Sequence, residues 1–342
     1  METLNFYQVE CPKCHGQLNS TAPISGQNTC TFCCTAYHIT ANVTLQTDIP
    51  AQIIPFKTIP DDFEQQALGM LRNVDYAPAN ISEIIPFGNT KGFYLPVYLF
   101  KGKYESAWSC SIKQTSVAND ASEQQHEMYR SENGVSKGEY AIICLAYEGV
   151  GSSTELLDYI RTLDYSDDGI KPFLSDDLSN CYFLPRNRDI QKTWQQCGED
   201  SVNSKARKKA LIQLQSNDIK DFKCNISIDP LRDGMFIFYP VWMLNYKHLN
   251  ESHYIFMDGA GRNGVKGTML IDRALKAKAE KPFFILKIIA IAAIVFPLLM
   301  MLAGWYYPAC IALAAMALVF LGYRGFARWH KRRIISKARK ES

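Results

Sequence analysis

Two apolar runs near the C-terminal end constrain this chain more than any other feature. Phe283–Ala303 has 21 residues with one charge, Lys287, and Tyr306–Tyr323 has 18 residues with none. As helices they would reach roughly 32 and 27 Å, close to the ~30 Å hydrocarbon thickness of a bilayer. A segment this long and uncharged has no face to offer water, so residues 283–323 are expected to form a two-helix transmembrane hairpin turning at Gly304-Trp305-Tyr306-Tyr307-Pro308. Two alternatives stand beside it. One is a helix pair buried in a soluble core, and the other is a re-entrant hairpin broken at Pro297 and Pro308.

The flanks set an orientation. Arg273, Lys276, Lys278 and Lys281 precede the hairpin, and Arg324, Arg328, Lys331, Arg332, Arg333, Lys337, Arg339 and Lys340 follow it. The turn between carries aromatics and no charge, so the positive-inside rule places both outer ends in the cytoplasm. Lys287 lies one turn in and can snorkel back to the headgroups. The first residues, Met1-Glu2-Thr3-Leu4-Asn5-Phe6, have no basic-then-apolar signal pattern. Residues 1–272 are therefore expected in the cytoplasm, held to the inner membrane from behind. A basic linker (273–282) and a basic tail (324–342) would contact anionic lipid.

Charge divides the same way. Residues 273–342 carry 13 Lys and Arg against 2 acids, whereas residues 1–272 carry 24 against 32. The net charge of +3 thus conceals an acidic body and a strongly basic end. That end suits an anionic membrane surface, and the body is poorly suited to nucleic acid.

The second strong pattern is Cys11-Pro12-Lys13-Cys14 followed by Cys30-Thr31-Phe32-Cys33. Two Cys-x-x-Cys knuckles at this separation point to a zinc ribbon at residues 1–45, with one structural Zn2+ held by Cys11, Cys14, Cys30 and Cys33. His15, Cys34 and His38 are nearby spares that break the symmetric pattern. Cys110, Cys144, Cys181, Cys197, Cys224 and Cys310 lie among apolar residues and read as core or lipid-facing thiols. Residues 1–45 contain one base, Lys13, against Glu2 and Glu10. The electrostatic contribution that dominates nucleic-acid affinity is therefore missing, which favours a structural or protein-docking ribbon.

Residues 46–272 read as an α+β body with a mixed, mostly antiparallel sheet. Helices are expected after Pro60, with Phe63, Leu68 and Leu71 on the apolar face, and at Ser153–Leu163 and Ser204–Leu214. Strands are expected at Gly92–Phe100, Ala107–Lys113, Tyr140–Tyr147, Met235–Asn245, Tyr254–Met257 and Val265–Leu270. Tyr94-Leu95-Pro96-Val97-Tyr98-Leu99-Phe100 aligns with Phe238-Tyr239-Pro240-Val241-Trp242-Met243-Leu244. Proline in a strand demands an edge or a bulge, so the shared position suggests one structural role used twice, as in duplicated halves; chance likeness of aromatic strands is the alternative.

No catalytic constellation emerges, and no enzyme activity is expected. There is no P-loop, no His-Glu-x-x-His and no Gly-x-Ser-x-Gly. Gly259-Ala260-Gly261-Arg262-Asn263-Gly264 matches a dinucleotide fingerprint, but strand-like sequence follows where a helix is needed; a turn led by Asp258 is expected instead. Asp167-Asp168 and Asp176-Asp177 read as solvated, and Lys205–Lys209 as an exposed helix face.

The ribbon cysteines, Ile54-Pro55-Phe56-Lys57, Gly92–Tyr98, Tyr239-Pro240-Val241-Trp242 and Met257-Asp258-Gly259 together resemble bacterial TFIIB-type zinc-ribbon membrane proteins, often labelled primosomal-helicase-like. His15 stands where that family usually has glycine. The resemblance implies a membrane-anchored cytoplasmic adaptor or scaffold working with PspA-type and flotillin-like SPFH proteins in envelope stress or membrane organisation. It names no catalytic residue. The alternative reading is a membrane-tethered nucleic-acid-binding or regulatory zinc-ribbon protein. Homo-oligomerisation is compatible with either.

Overall fold

The computed structural model describes residues 3–78, 80–113, 129–150, 153–163, 165, 169–214, 218–229, 234–281, 321–334 and 336. The expected membrane hairpin lies outside the described residues, apart from 321–323. No helix among the described residues is long and apolar enough to cross a membrane. The fold is α+β and built on a large, mostly antiparallel sheet.

The strands are β1 (Thr3–Glu10), β2 (Gln17–Ser20), β3 (Gly26–Thr29), β4 (Ala36–Ile39), β5 (Val43–Asp48), β6 (Gln52–Ile53), β7 (Lys91–Lys113), β8 (Tyr129–Leu145), β9 (Lys171–Pro172), β10 (Tyr182–Phe183), β11 (Ile219–Ile228), β12 (Gly234–His248), β13 (Glu251–Asp258) and β14 (Lys266–Gly267). The helices are α1 (Pro60–Arg72), α2 (Ile81–Ile84), α3 (Thr154–Arg161), α4 (Ile190–Thr193) and α5 (Glu199–Gln213). A π-helical turn at Trp194–Gly198 joins the last two. Residues 273–281 and 321–334 are also helical. The chain divides into two compact units, Met1–Phe63 with Gly88–Lys266, and Glu64–Phe87 with Gly267–Ser342.

In the first unit β7 is the central strand. One of its edges bonds β12 over Lys91–Phe100 and β11 over Tyr104–Ile112. The other bonds β10, in parallel, at Phe93 and Tyr94, then β8 over Val97–Lys113. The two strands expected at Gly92–Phe100 and Ala107–Lys113 are thus one. Continuous pairing with β8 along the other edge leaves Lys101–Ser106 no reason to turn, despite its polar residues. Side chains alternate between two buried faces. Phe93, Leu95, Val97 and Leu99 join a core with Leu156, Tyr159 and Ile160 of α3. Tyr98, Phe100 and Tyr104 join another with Val202 and Ala206 of α5. Because both faces are covered, Phe93–Phe100 is buried without interruption.

The two prolines do occupy matching places, although neither is on a sheet edge. Pro96 of β7 pairs with Phe238 of β12, and Pro240 of β12 pairs with Tyr94 of β7, so a local two-fold passes between Leu95 and Tyr239. Beside Pro96 the neighbouring strand changes. Leu184 N–H donates to Tyr94 C=O as parallel β10 ends, and Ala146 N–H donates to Pro96 C=O as antiparallel β8 takes over. Beside Pro240 the same change occurs: Ile54 N–H donates to Phe238 C=O after parallel β6, and Gly259 N–H donates to Pro240 C=O after antiparallel β13. A residue's N and O face the same edge of a strand, so each proline puts its missing donor at the break between two neighbours. The equivalence extends outward. Gly259 C=O accepts from Lys57 and Thr58 N–H, as Ala146 C=O accepts from Asn187 and Arg188 N–H. Pro60 and Ile190 then begin α1 and α4.

The starts of α1 and α3 follow from sequence. Pro60 sits at the first helical position of α1, and the Asp62 carboxylate reaches back to Ile59 N–H at 2.9 Å. Phe63, Ala67 and Leu71 form its buried face, so Ala67 takes the place expected for the half-buried Leu68. Ser153 caps α3 by accepting from Leu156 N–H at 3.2 Å. The expected helix at Ser204–Leu214 begins earlier, at Glu199, because α4 and the π turn feed into it. Trp194 in that turn packs on Phe100 and Tyr140. The expected strand Val265–Leu270 shrinks to Lys266–Gly267. Asp258 explains why: its buried carboxylate accepts from the N–H groups of Ala260, Arg262 and Asn263 and from Asn263 Nδ2, winding the chain into a turn. The glycine-rich segment is therefore a turn led by Asp258, with Gly261 at φ +72.

In the second unit Leu71, Tyr76, Ile81, Ile85, Leu270, Ala279 and Ala327 are buried. Asp272 caps the helical segment 273–281 through Leu275 N–H and donates its own N–H to Tyr76 C=O at 2.8 Å.

Gly259 should tolerate no side chain. A Cβ there would lie 2.5 Å from the Phe56 ring and 2.8 Å from Pro240 Cβ. Gly259→Ala is expected to cost about 1–3 kcal/mol, read as a lower denaturation midpoint with metal content unchanged.

Candidate metal centre

The four cysteines sit at the tips of two hairpins. β1 and β2 pair up to Glu10↔Gln17, and β3 and β4 up to Thr29↔Ala36, with a knuckle closing each. The knuckles are near copies. Cys11 N–H donates to Gly16 C=O and His15 N–H to Cys11 C=O; Cys30 N–H donates to Thr35 C=O and Cys34 N–H to Cys30 C=O, all at 2.9–3.0 Å. His15 and Cys34 both adopt φ 59, the left-handed conformation needed to swing the chain past the second cysteine. Glycine is the usual solution there. His15 holds the conformation while its ring contacts the Glu10 carboxylate in solvent.

The four sulfurs lie within 4.8 Å of one another. Cys11 and Cys33 are 3.7 Å apart, and Cys14 and Cys30 are 3.6 Å apart. Sulfurs at the corners of a tetrahedron ~2.3 Å from a central ion would be ~3.8 Å apart. The cluster therefore fits one metal ion, and the fit uses all four positions of a tetrahedron. The spares stay out of it: His15 and His38 are exposed, and Cys34 is not among the four clustered sulfurs.

Nearby dipoles and burial pull the thiols in opposite directions. Burial opposes ionisation of Cys33, but the hydroxyl and N–H of Thr35, with Cys14 and Cys30 alongside, outweigh it and lower the thiol to about 7. Cys30 goes the other way, pushed up by burial although the N–H groups of Phe32 and Cys33 face it. Burial also raises Cys14. Ionised sulfurs are what a metal ion binds, so ion and protons compete for the site.

The body of the unit anchors the second knuckle. Phe32 C=O accepts from Asn245 Nδ2 at 2.6 Å and from Tyr254 Oη at 3.3 Å. The Phe32 ring packs against Phe93 and over Gly16, where a Cβ would come within 2.3 Å. Lys91 Nζ donates to Asn28 Oδ1 and to Thr29 C=O, next to Cys30. Burial lowers the Lys91 ammonium to about 8, an effect the Cys30 sulfur opposes. A four-thiolate site carries excess negative charge even with a divalent ion, and Lys91 is placed to offset part of it.

The first hairpin is also part of the main sheet, whereas β3 and β4 form a two-stranded sheet of their own. Asn19 of β2, fully buried, pairs with Phe183 of β10 and donates to its C=O at 3.0 Å. β5 runs through residue 45 to Asp48, which pairs with Arg186. Val9, Leu18, Ile24 and Ile39 share one core with Phe93 and Leu95.

Of the other singled-out groups, Asp177 is not merely solvated: it pairs with Lys171 and accepts from Leu174 N–H at 2.9 Å. Asp167 and Asp168 lie outside the described residues. In the run Lys205–Lys209, Ala206 is buried, Lys205 donates to Ala141 C=O and Arg207 lies over the Phe222 ring. Sequence reading missed Lys91, Asn245 and Tyr254. Lys91 could have been noticed as a lone base directly before an apolar strand.

No family model matches this chain, and no curated protein or solved structure shows significant similarity to it.

His15→Gly and Cys34→Gly should each stabilise the metal-loaded chain by up to about 1 kcal/mol in chemical denaturation, by removing the left-handed penalty. Metal content should stay the same in both, which separates Cys34 from the ligands.

Proposed function

We propose that this chain is a membrane-anchored cytoplasmic adaptor whose four-cysteine cluster holds one structural zinc ion. The observation that carries the zinc assignment is the closed tetrahedral set of Cys11, Cys14, Cys30 and Cys33, all thiols, with no position left for water or substrate. Zinc held this way supplies folding energy and orders the two knuckles. The body grips the second knuckle through Lys91, Asn245 and Tyr254, and the first hairpin pairs with β10, so ribbon and sheet would move as one surface. Such a surface suits protein docking.

Anchoring is proposed from the apolar runs of 283–323 and the basic residues around them. The resemblance to TFIIB-type zinc-ribbon membrane proteins supports PspA-type and flotillin-like SPFH proteins as partners, in envelope stress or membrane organisation. The acidic balance of residues 1–272 argues against nucleic acid as the main ligand.

Affinity purification from membranes in mild detergent tests this reading. The intact chain should fractionate with membranes, carry about one zinc per chain and capture membrane-associated proteins. Cys11→Ser/Cys14→Ser should lose the zinc, and loss of partners with it would put the ribbon at the interface. Recovery of nucleic acid alone, or of the chain in the soluble fraction, would overturn the proposal.

A further inference from the structure

We propose that the helical segment 321–334 presents a face that binds anionic lipid headgroups, separate from the face that holds the segment to its own unit. The inference rests on the membrane reading above and specifies which side chains meet the lipid.

The segment, Leu-Gly-Tyr-Arg-Gly-Phe-Ala-Arg-Trp-His-Lys-Arg-Arg-Ile, has five Lys and Arg residues and no acid. Its side chains sort into arcs. Tyr323, Ala327, His330, Lys331 and Ile334, at spacings of three, four and one, are buried or half-buried. Lys331 belongs to this inner arc: it pairs with Asp75 at 3.4 Å and lies 5.2 Å over the Tyr76 ring. Its charge is therefore engaged by the protein.

The rest of the circumference faces outward. Arg324, Arg328 and Arg332 recur every fourth residue in one exposed row. Phe326, Trp329 and Arg333 form the adjoining row. Phe326 is 47% and Trp329 53% exposed, with ring centroids 6.0 Å apart, and the Arg333 guanidinium lies over Trp329. Large aromatics left in water beside a row of arginines are a poor surface for a soluble protein and a good one for a bilayer interface. The aromatic row would sit at the boundary between headgroups and acyl chains, and the arginine row would meet phosphate oxygens. The apolar run ending at Tyr323 would deliver the segment to that depth. An acidic protein or a nucleic acid would also engage the arginines, but neither accounts for the apolar run that leads directly into the segment.

The test uses the full chain in nanodiscs of phosphatidylcholine alone or mixed with phosphatidylglycerol, with hydrogen–deuterium exchange read over residues 321–334. Phosphatidylglycerol should slow exchange there by roughly 30-fold or more, about what two or three surface arginines supply. Arg324→Gln/Arg328→Gln/Arg332→Gln and Phe326→Ser/Trp329→Ser should both lose the response, and Lys331→Gln should keep it. Protection that ignores the headgroup, or a triple variant that responds like the parent, overturns the lipid face. Equal protection on phosphatidylcholine discs by added duplex DNA or polyglutamate overturns the choice of lipid. A chain that enters neither nanodisc instead overturns the membrane reading on which this inference rests.

Discussion

Everything in the larger unit depends on β7 hydrogen-bonding along both of its edges. β12 and β11 satisfy one edge, and β10 and β8 the other. Buried backbone N–H and C=O groups are costly to leave without partners, so the strand's length forces long neighbours on both sides. Its alternating side chains then seed two cores, one under α3 and one under α5. The first cysteine hairpin joins that arrangement because β2 continues the sheet beyond β10, and the second is held to it by Lys91, at the start of β7, which reaches its knuckle.

That junction changes what a metal can do here. An isolated ribbon needs its ion because it is too small for a core of its own. Here Val9, Leu18, Ile24 and Ile39 already share the body's core. Losing the ion would therefore loosen the knuckles first, leaving four crowded sulfurs with the half-buried Lys91 beside one of them, Cys30. Charge is partitioned at larger scale as well: the basic residues concentrate after Arg273, away in sequence from an acidic body. The proposed adaptor would use the first region for lipid and the second for protein.

Patterns of short period were legible in the sequence. The Cys-x-x-Cys pairs named the four clustered cysteines, because knuckle geometry is local and repeats. Pro60 with Asp62, and Ser153, announced helix starts for the same reason. The prolines at 96 and 240 were recognisable as twins, but their explanation was not. A break between two neighbouring strands is a property of the sheet, and it excuses a missing donor as well as an edge does. Short strands such as Gln52–Ile53 and Tyr182–Phe183 were missed, having too few residues to show a period. β11, with its alternation of Phe222, Cys224, Ile226 and Ile228, showed one and was still passed over.

The sequence by itself determined the four-thiol donor set, the α+β composition of the body and the separation of acidic from basic regions. Each depends on residue type and local spacing alone. Tertiary structure decided that the first cysteine hairpin joins the main sheet, that Lys91 sits beside Cys30, that two distant Pro-containing strands pair about a local two-fold, and that Lys331 turns inward while its neighbouring arginines face out. These depend on contacts between residues tens to hundreds of positions apart. Such contacts form only where burial and backbone pairing across the sheet, or across helix faces, are satisfied together, and no local pattern records that condition.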